Sequence, residues 1–217
     1  RPVIDVPARY RVALKRTVDQ SGVVTAAGTT AWDWSWPADA EQMLQLQAQP
    51  VQTQWYAAHF ANPSGQGTRF AVPFDADSTI DAVYRHDGQG VWLLGLASRL
   101  EKPATGQTLL VYQSPILTVP FPLLPGASWQ AASAVEKATL YGLPYAGKDS
   151  YEFKADAVGR LLLPDLSIDQ AIRVRAKVTT TAIMGAPQSR LQTSYFFECL
   201  GEVARATSGN GETDPNF

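Results

Sequence analysis

Residues 78–99 read STIDAVYRHDGQGVWLLGLASR, and this stretch decides the fold. Ser78 to His86 and Val91 to Arg99 are β-rich runs. Between them stands Asp87-Gly88-Gln89-Gly90, whose glycines are expected to supply the positive-φ positions of a tight turn. The stretch is therefore a β-hairpin.

The same reading extends outward. Downstream, Thr108 to Tyr112 and Pro115 to Val119 continue the meander as far as Pro120 to Trp129, PFPLLPGASW. Three prolines in six residues remove backbone donors and bias the preceding residues to extended geometry, so no regular helix runs through it. Upstream, Thr68 to Phe74 is a strand, the glycines within residues 62–67 mark a loop, and Gln54 to Phe60 is aromatic, with Trp55, Tyr56, His59 and Phe60. Leu44, Leu46 and Ala48 alternate with Gln45, Gln47 and Gln49, although a helix from Ala38, limited by Pro50, competes. Thr29 to Trp36 also alternates and places Trp32, Trp34 and Trp36 on one face; Arg9 to Val18 does the same with Tyr10, Val12 and Leu14.

Beyond Trp129, strands are expected at Ser133 to Leu140, Ser150 to Ala155, Leu161 to Leu163, Ala171 to Ile183 and Ser189 to Ala206. The separators are LPYAGK, AVGR, the Pro164-Asp165 pair and the GAP at Gly185. Arg173, Arg175 and Lys177 alternate with Ile172, Val174, Ala176 and Val178, which gives that strand one wet and one dry face. From Ser208 the tail is polar.

Bulk composition narrows the partners. The chain has 217 residues, long enough for a substantial core, with 45% apolar and 18% charged residues and a net charge of -2. That balance, with no run of Lys and Arg, argues against nucleic acid. No apolar run approaches the twenty residues of a transmembrane helix. The chain starts at Arg1 without methionine, which fits a processed or a trimmed chain and is compatible with a removed signal peptide or a lipid anchor upstream of residue 1. Cys199 has no second cysteine with which to form an internal disulfide or zinc site and reads as a buried, inert thiol.

Catalytic patterns are thin. Gly126-Ala127-Ser128-Trp129-Gln130 lacks the closing glycine of a nucleophile elbow. His59 and His86 stand in no zinc-binding spacing, so no metal or other cofactor is expected. Phe74 to Ile80, FDADSTI, resembles the Asp-x-Asp-x-Thr signature of phosphoryl-transfer enzymes of the haloacid dehalogenase type, which would make Asp75 the nucleophile and Asp77 the acid and base. The hairpin that follows Ile80, and the missing α/β alternation, set this aside. Asp75, Asp77 and Asp81 could instead hold a cation in a loop, without the glycine and glutamate of an EF-hand. For the tryptophans two readings stay open: Trp32, Trp34, Trp36, Trp55 and Trp92 line a cavity for an apolar or stacked ligand, or they fill a core.

The C-terminal half resembles uncharacterised secreted or lipid-anchored envelope proteins of myxobacteria and related bacteria. The likeness rests on PFPLLPGASW, on the LPDL-containing stretch leading to Ile172-Arg173-Val174-Arg175, and on the ending Tyr195 to Ala204, YFFECLGEVA. It implies an extracytoplasmic location and supplies no activity. In strand pattern alone the chain is similar to the half-open barrels of lipoprotein carriers of the LolA and LolB kind, which enclose acyl chains.

The expected fold is all-β and mainly antiparallel, a large β-sandwich or half-open β-barrel with at most short helices. One domain covers residues 1–217, with sub-sheets 8–119 and 129–208 joined by the connector 120–128. The expected function is non-enzymatic: an envelope protein binding an apolar or amphiphilic ligand, such as a lipid, between its sheets. The alternatives are a structural or interaction subunit with an envelope protein partner, and a hydrolase whose site the sequence does not reveal.

Overall fold

A computed structural model describes residues 6–13, 17–35, 42–61, 65–75, 77–198 and 200–217. The strands are β1 (Pro7–Val12), β2 (Val23–Val24), β3 (Thr30–Asp33), β4 (Gln42–Gln47), β5 (Gln49–Pro50), β6 (Thr68–Pro73) and β7 (Ile80–His86), followed by β8 (Gly90–Ser98), β9 (Leu109–Pro120), β10 (Ser128–Leu140), β11 (Leu143–Leu163), β12 (Leu166–Ala182), β13 (Gln188–Phe197) and β14 (Gly201–Thr207). Short 3₁₀ turns at Val51–Thr53 and Ala57–Phe60 are the helical elements among the described residues. The protein is all-β, and its antiparallel sheet curls into a half-barrel.

From β5 to β14 each strand pairs with its neighbour in sequence. The hairpin that anchors the sequence reading forms with His86 opposite Val91 and Ile80 opposite Ser98. Its turn is closed differently from expectation: Asp87 Oδ1 accepts from the backbone N–H groups of Gln89 (2.8 Å) and Gly90 (3.1 Å), and neither Gly88 nor Gly90 has positive φ. Gly90 is required by close approach instead, since a Cβ there would lie 2.4 Å from the Val119 carbonyl oxygen.

Three expected breaks are interior to strands. β9 runs through Ser114 and Pro115, because its ladder to β8 jumps from Ile116 to Val111 and asks no donor of the proline between them. β11 runs through both LPYAGK and AVGR. The true turn is Tyr141-Gly142, with φ of 50° and 78°. AVGR is a pair of bulges, between Ala155 and Ala157 and between Gly159 and Leu161, which increase the local twist. The interrupted alternation that looked like a turn is the sheet curling. Conversely, the expected strand through Arg9 to Val18 ends at Val12, and the Met43 to Ala48 region is strand, not helix, over Gln42–Gln47.

The sheet crosses the proline connector without a break. β9 and β10 are neighbours, with Val135 opposite Tyr112 and Thr139 opposite Leu109. The connector is hydrogen-bonded into the sheet, from Phe121 N–H to the Gln89 carbonyl (2.8 Å) and from Gly126 N–H to the Ala155 carbonyl (2.7 Å). The Phe121–Pro122 bond is cis.

Alternation then decides which side chains go inside. The concave face gathers Leu93, Leu110, Tyr112, Ile116 and Val135 and continues through Tyr151 into Phe153, Ala155, Val174 and Ala176. Side chains from opposite arms meet across this interior: the Arg190 guanidinium of β13 lies 5.9 Å from the Phe74 ring, and Arg205 of β14 reaches Tyr84 of β7. The β1–β4 ribbon spans the same gap, β4 touching β6 while the Tyr10 hydroxyl donates to the Glu202 carbonyl at 3.3 Å. Side chains and a ribbon thus draw together arms that no backbone ladder joins among the described residues.

The outer face is covered in two places. Over β6 to β9 the segment 51–60 packs Val51, Tyr56 and Phe60 onto Val83, Leu94 and Ala97. Over β11 to β14 the chain from Val18 to Trp34 packs onto Leu161, Ile168, Ala171 and Tyr195, with β3 adding in parallel to Gly159–Leu162, beyond the end of β10. Between these covers the outer face of β10 to β13 stays open.

Candidate functional site

Strand register lays out this open face. Ser128, Lys154, Arg175 and Thr193 stand opposite one another across β10, β11, β12 and β13, and Gln130, Glu152, Lys177 and Leu191 form the adjacent row. The tail returns over the sheet, placing Pro215 and Phe217 beside these rows, and the space between is a groove of about 650 Å³. That volume is in the range of small-molecule sites.

The tail that walls the groove is held at several points. Gly211 N–H donates to the Ser189 carbonyl (2.7 Å), Arg175 Nη2 to Asn216 Oδ1 (3.0 Å) and Gln20 Nε2 to the Phe217 carbonyl (2.6 Å). Gln20 is fully buried, so the tail is tied to the protein interior.

Two arginines share one carboxylate beneath the groove. Arg173 binds Asp156 through Nε (2.8 Å) and Nη2 (3.0 Å), and Arg175 Nε lies 3.1 Å from the same group. Burial lowers the Arg175 pKa, and the nearby Arg173 charge adds to this against the pull of Asp156. Arg173 is buried, donates to the Gln20 carbonyl and stacks over the Trp32 ring at 5.1 Å. The wet face expected for Arg173, Arg175 and Lys177 is therefore wet toward Lys177 and roofed at Arg173.

The sequence-derived tryptophan set does not converge. Trp32 is fully buried and meets Tyr195 edge-on at 4.9 Å; Trp34 meets the same ring at 5.0 Å and donates to the Asp19 carbonyl at 3.1 Å. Trp55 lies on the other cover, donating to the Ser98 carbonyl at 2.8 Å. Trp92 lies under the Arg85 guanidinium (5.1 Å), which also pairs with Asp87 at 3.1 Å. Trp36 and Cys199 lie outside the described residues. Trp32, Trp34, Trp55 and Trp92 belong to separate places on the outer face, whereas Trp129, which the sequence reading gave no ligand role, stacks on Phe153 at 4.9 Å in the concave core.

Asp75 and Asp81 are each hydrogen-bonded, to different parts of the chain, and Asp77 is exposed. Asp75 closes its own loop by accepting from the N–H groups of Thr79 (2.8 Å) and Ile80 (3.1 Å). Asp81 is buried and accepts from the Tyr56 hydroxyl at 2.9 Å; desolvation raises its pKa against that bond. Among the described residues no cluster of three or more His, Cys, Asp or Glu is placed to hold a metal ion.

A polar nest in the concave interior had no counterpart in the sequence reading. The Tyr112 hydroxyl donates to Asp149 Oδ2 at 2.5 Å, and burial drives the Tyr112 pKa well up. Burial, then the Asp149 charge, pushes Tyr151 up to about 12. Tyr84 is raised by desolvation too, so these phenols stay neutral hydrogen-bonding groups in the shared core.

The groove itself also escaped the sequence reading, for a definable reason. Arg175 and Lys177 were visible as an alternating pair, but Lys154 joins them only once the β11–β12 register is known. Compared with protein-family models, curated proteins and solved structures, the chain matches none.

Proposed function

We propose that this is a non-enzymatic binding protein of the bacterial envelope, extracytoplasmic as the C-terminal resemblance implies, which holds an amphiphilic ligand in the outer groove. The observation that carries the reading is the groove of about 650 Å³ with an apolar wall, Leu191, Pro215 and Phe217, above a polar floor from four strands. An acyl or aromatic portion lies along that wall while a polar head meets the floor. Filling the groove tests it. The neutral probe N-phenyl-1-naphthylamine is expected to gain fluorescence with the wild-type protein, and Gln130→Trp, which puts an indole over the exposed floor, is expected to weaken binding at least ten-fold by titration. Equal affinity in the variant would remove the groove as the site.

A second reading, an interaction subunit of an envelope assembly, is favoured by one rim of the half-barrel. There Leu100, Tyr141, Leu143, Ile183 and Met184 are 58–93% exposed at three hairpin ends. The ends are tied together by Gly142 N–H to the Gln107 carbonyl (2.8 Å) and Ile183 N–H to the Ala146 carbonyl (3.1 Å). Apolar tips of this kind fit a protein partner. Cross-linking through residue 184 in native membranes should give one defined adduct that Ile183→Ser with Met184→Ser abolishes; no adduct in the wild type would sink this reading.

A further inference from the structure

We propose that the groove selects an anionic head group, a phosphate or carboxylate, at Lys154 and Arg175; the inference rests on the amphiphile reading above and names the chemistry of its polar end. These two cations stand directly opposite each other on β11 and β12. Directly opposed side chains have Cβ atoms about 4.5–5.5 Å apart, and like charges so placed repel. Their surroundings offset this charge only in part, through Asp156 against Arg175 at 3.1 Å and the field of Asp214. Asp156 is bound between Arg173 and Arg175, and among the described residues neither Lys154 nor Lys177 has a carboxylate within ion-pair distance. Glu152 stands opposite Lys177, one row from Lys154, and is the single acid on the groove floor against three cations.

The cations also differ in what they offer. Arg175 is half-buried and fixed by Asp156 and Asn216, which presets its direction; Lys154 is exposed on a flexible four-carbon stem. A guanidinium held in place beside a mobile ammonium supplies directed donors and a second point charge to one oxyanion. An anion between them turns the repulsion into attraction. The apolar wall at Phe217 then receives the rest of the molecule, so the head group is the part that discriminates.

Matched twelve-carbon amphiphiles separate this inference from the reading beneath it. Dodecyl phosphate, dodecyl maltoside and dodecyltrimethylammonium are titrated calorimetrically below their micelle concentrations, with wild type and with Lys154→Glu. Dodecyl phosphate is expected to bind at least ten-fold more tightly than the other two. Lys154→Glu, with its thermal midpoint checked against that of the wild type, is expected to abolish that preference. Equal affinity for all three heads, or a phosphate preference untouched by Lys154→Glu, overturns the anion inference and leaves the amphiphile reading standing. Binding of none of the three overturns both.

Discussion

Trp32→Ala is expected to lower the free energy of unfolding by about 3–5 kcal/mol, the range for removing a large aromatic from a packed core. The indole is fully buried, with Tyr195 edge-on at 4.9 Å and the Arg173 guanidinium over its face at 5.1 Å. Its removal leaves a cavity and also uncovers a buried charge, so the loss exceeds that of an aliphatic residue. Guanidinium denaturation followed by Trp129 and Trp92 emission measures it. The midpoint should fall while the folded variant keeps its affinity for a groove ligand within two-fold. A stable variant that lost ligand would instead return Trp32 to the binding site.

Gly95→Ala is expected to cost more than about 4 kcal/mol, or to prevent folding, because backbone has to move to admit it. Gly95 lies where β8 shifts register against both β7 and β9. A Cβ there would stand 2.0 Å from the Leu110 carbonyl oxygen and 2.9 Å from the Phe60 ring. Neither atom is the free end of a flexible chain. Gly126→Ala is the matched comparison: its φ of 84° disfavours a side chain, yet nothing lies within 4 Å, so its cost should be about 1 kcal/mol. Thermal unfolding of the pair checks the ranking. Similar midpoints for both would mean that β8 and β9 do not pack as described.

Much of the strand pattern was legible because alternation reports burial directly. The strands within Ser78 to Arg99 and Thr68 to Phe74 and the Pro164-Asp165 turn fall within about two residues of where the residue pattern places them, although Asp87, not a positive-φ glycine, closes the hairpin. Bulges defeated the same method. At AVGR an extra residue flips the alternation, and a local reading cannot tell a flip within a strand from the end of one. The gap left between Tyr112 and Pro115 closed for a related reason, since a proline is tolerated within a strand where no neighbour needs its donor.

The candidate site was least legible, because it is made of register. Trp32, Trp34 and Trp55 stood out by size, and large rigid side chains are what a curled sheet needs under its covers. Lys154 carried no signal in the sequence, and pairing set it against Arg175. By itself, the amino-acid sequence determined the β class and the antiparallel succession of hairpins, since these depend on local alternation and turn residues. Only the tertiary structure decided that the sheet runs unbroken past PFPLLPGASW, curls until Arg205 meets Tyr84, and folds its tail beside a row of cations. Those outcomes depend on which residues become neighbours across strands, and pairing between distant segments is set by the packing of the whole sheet.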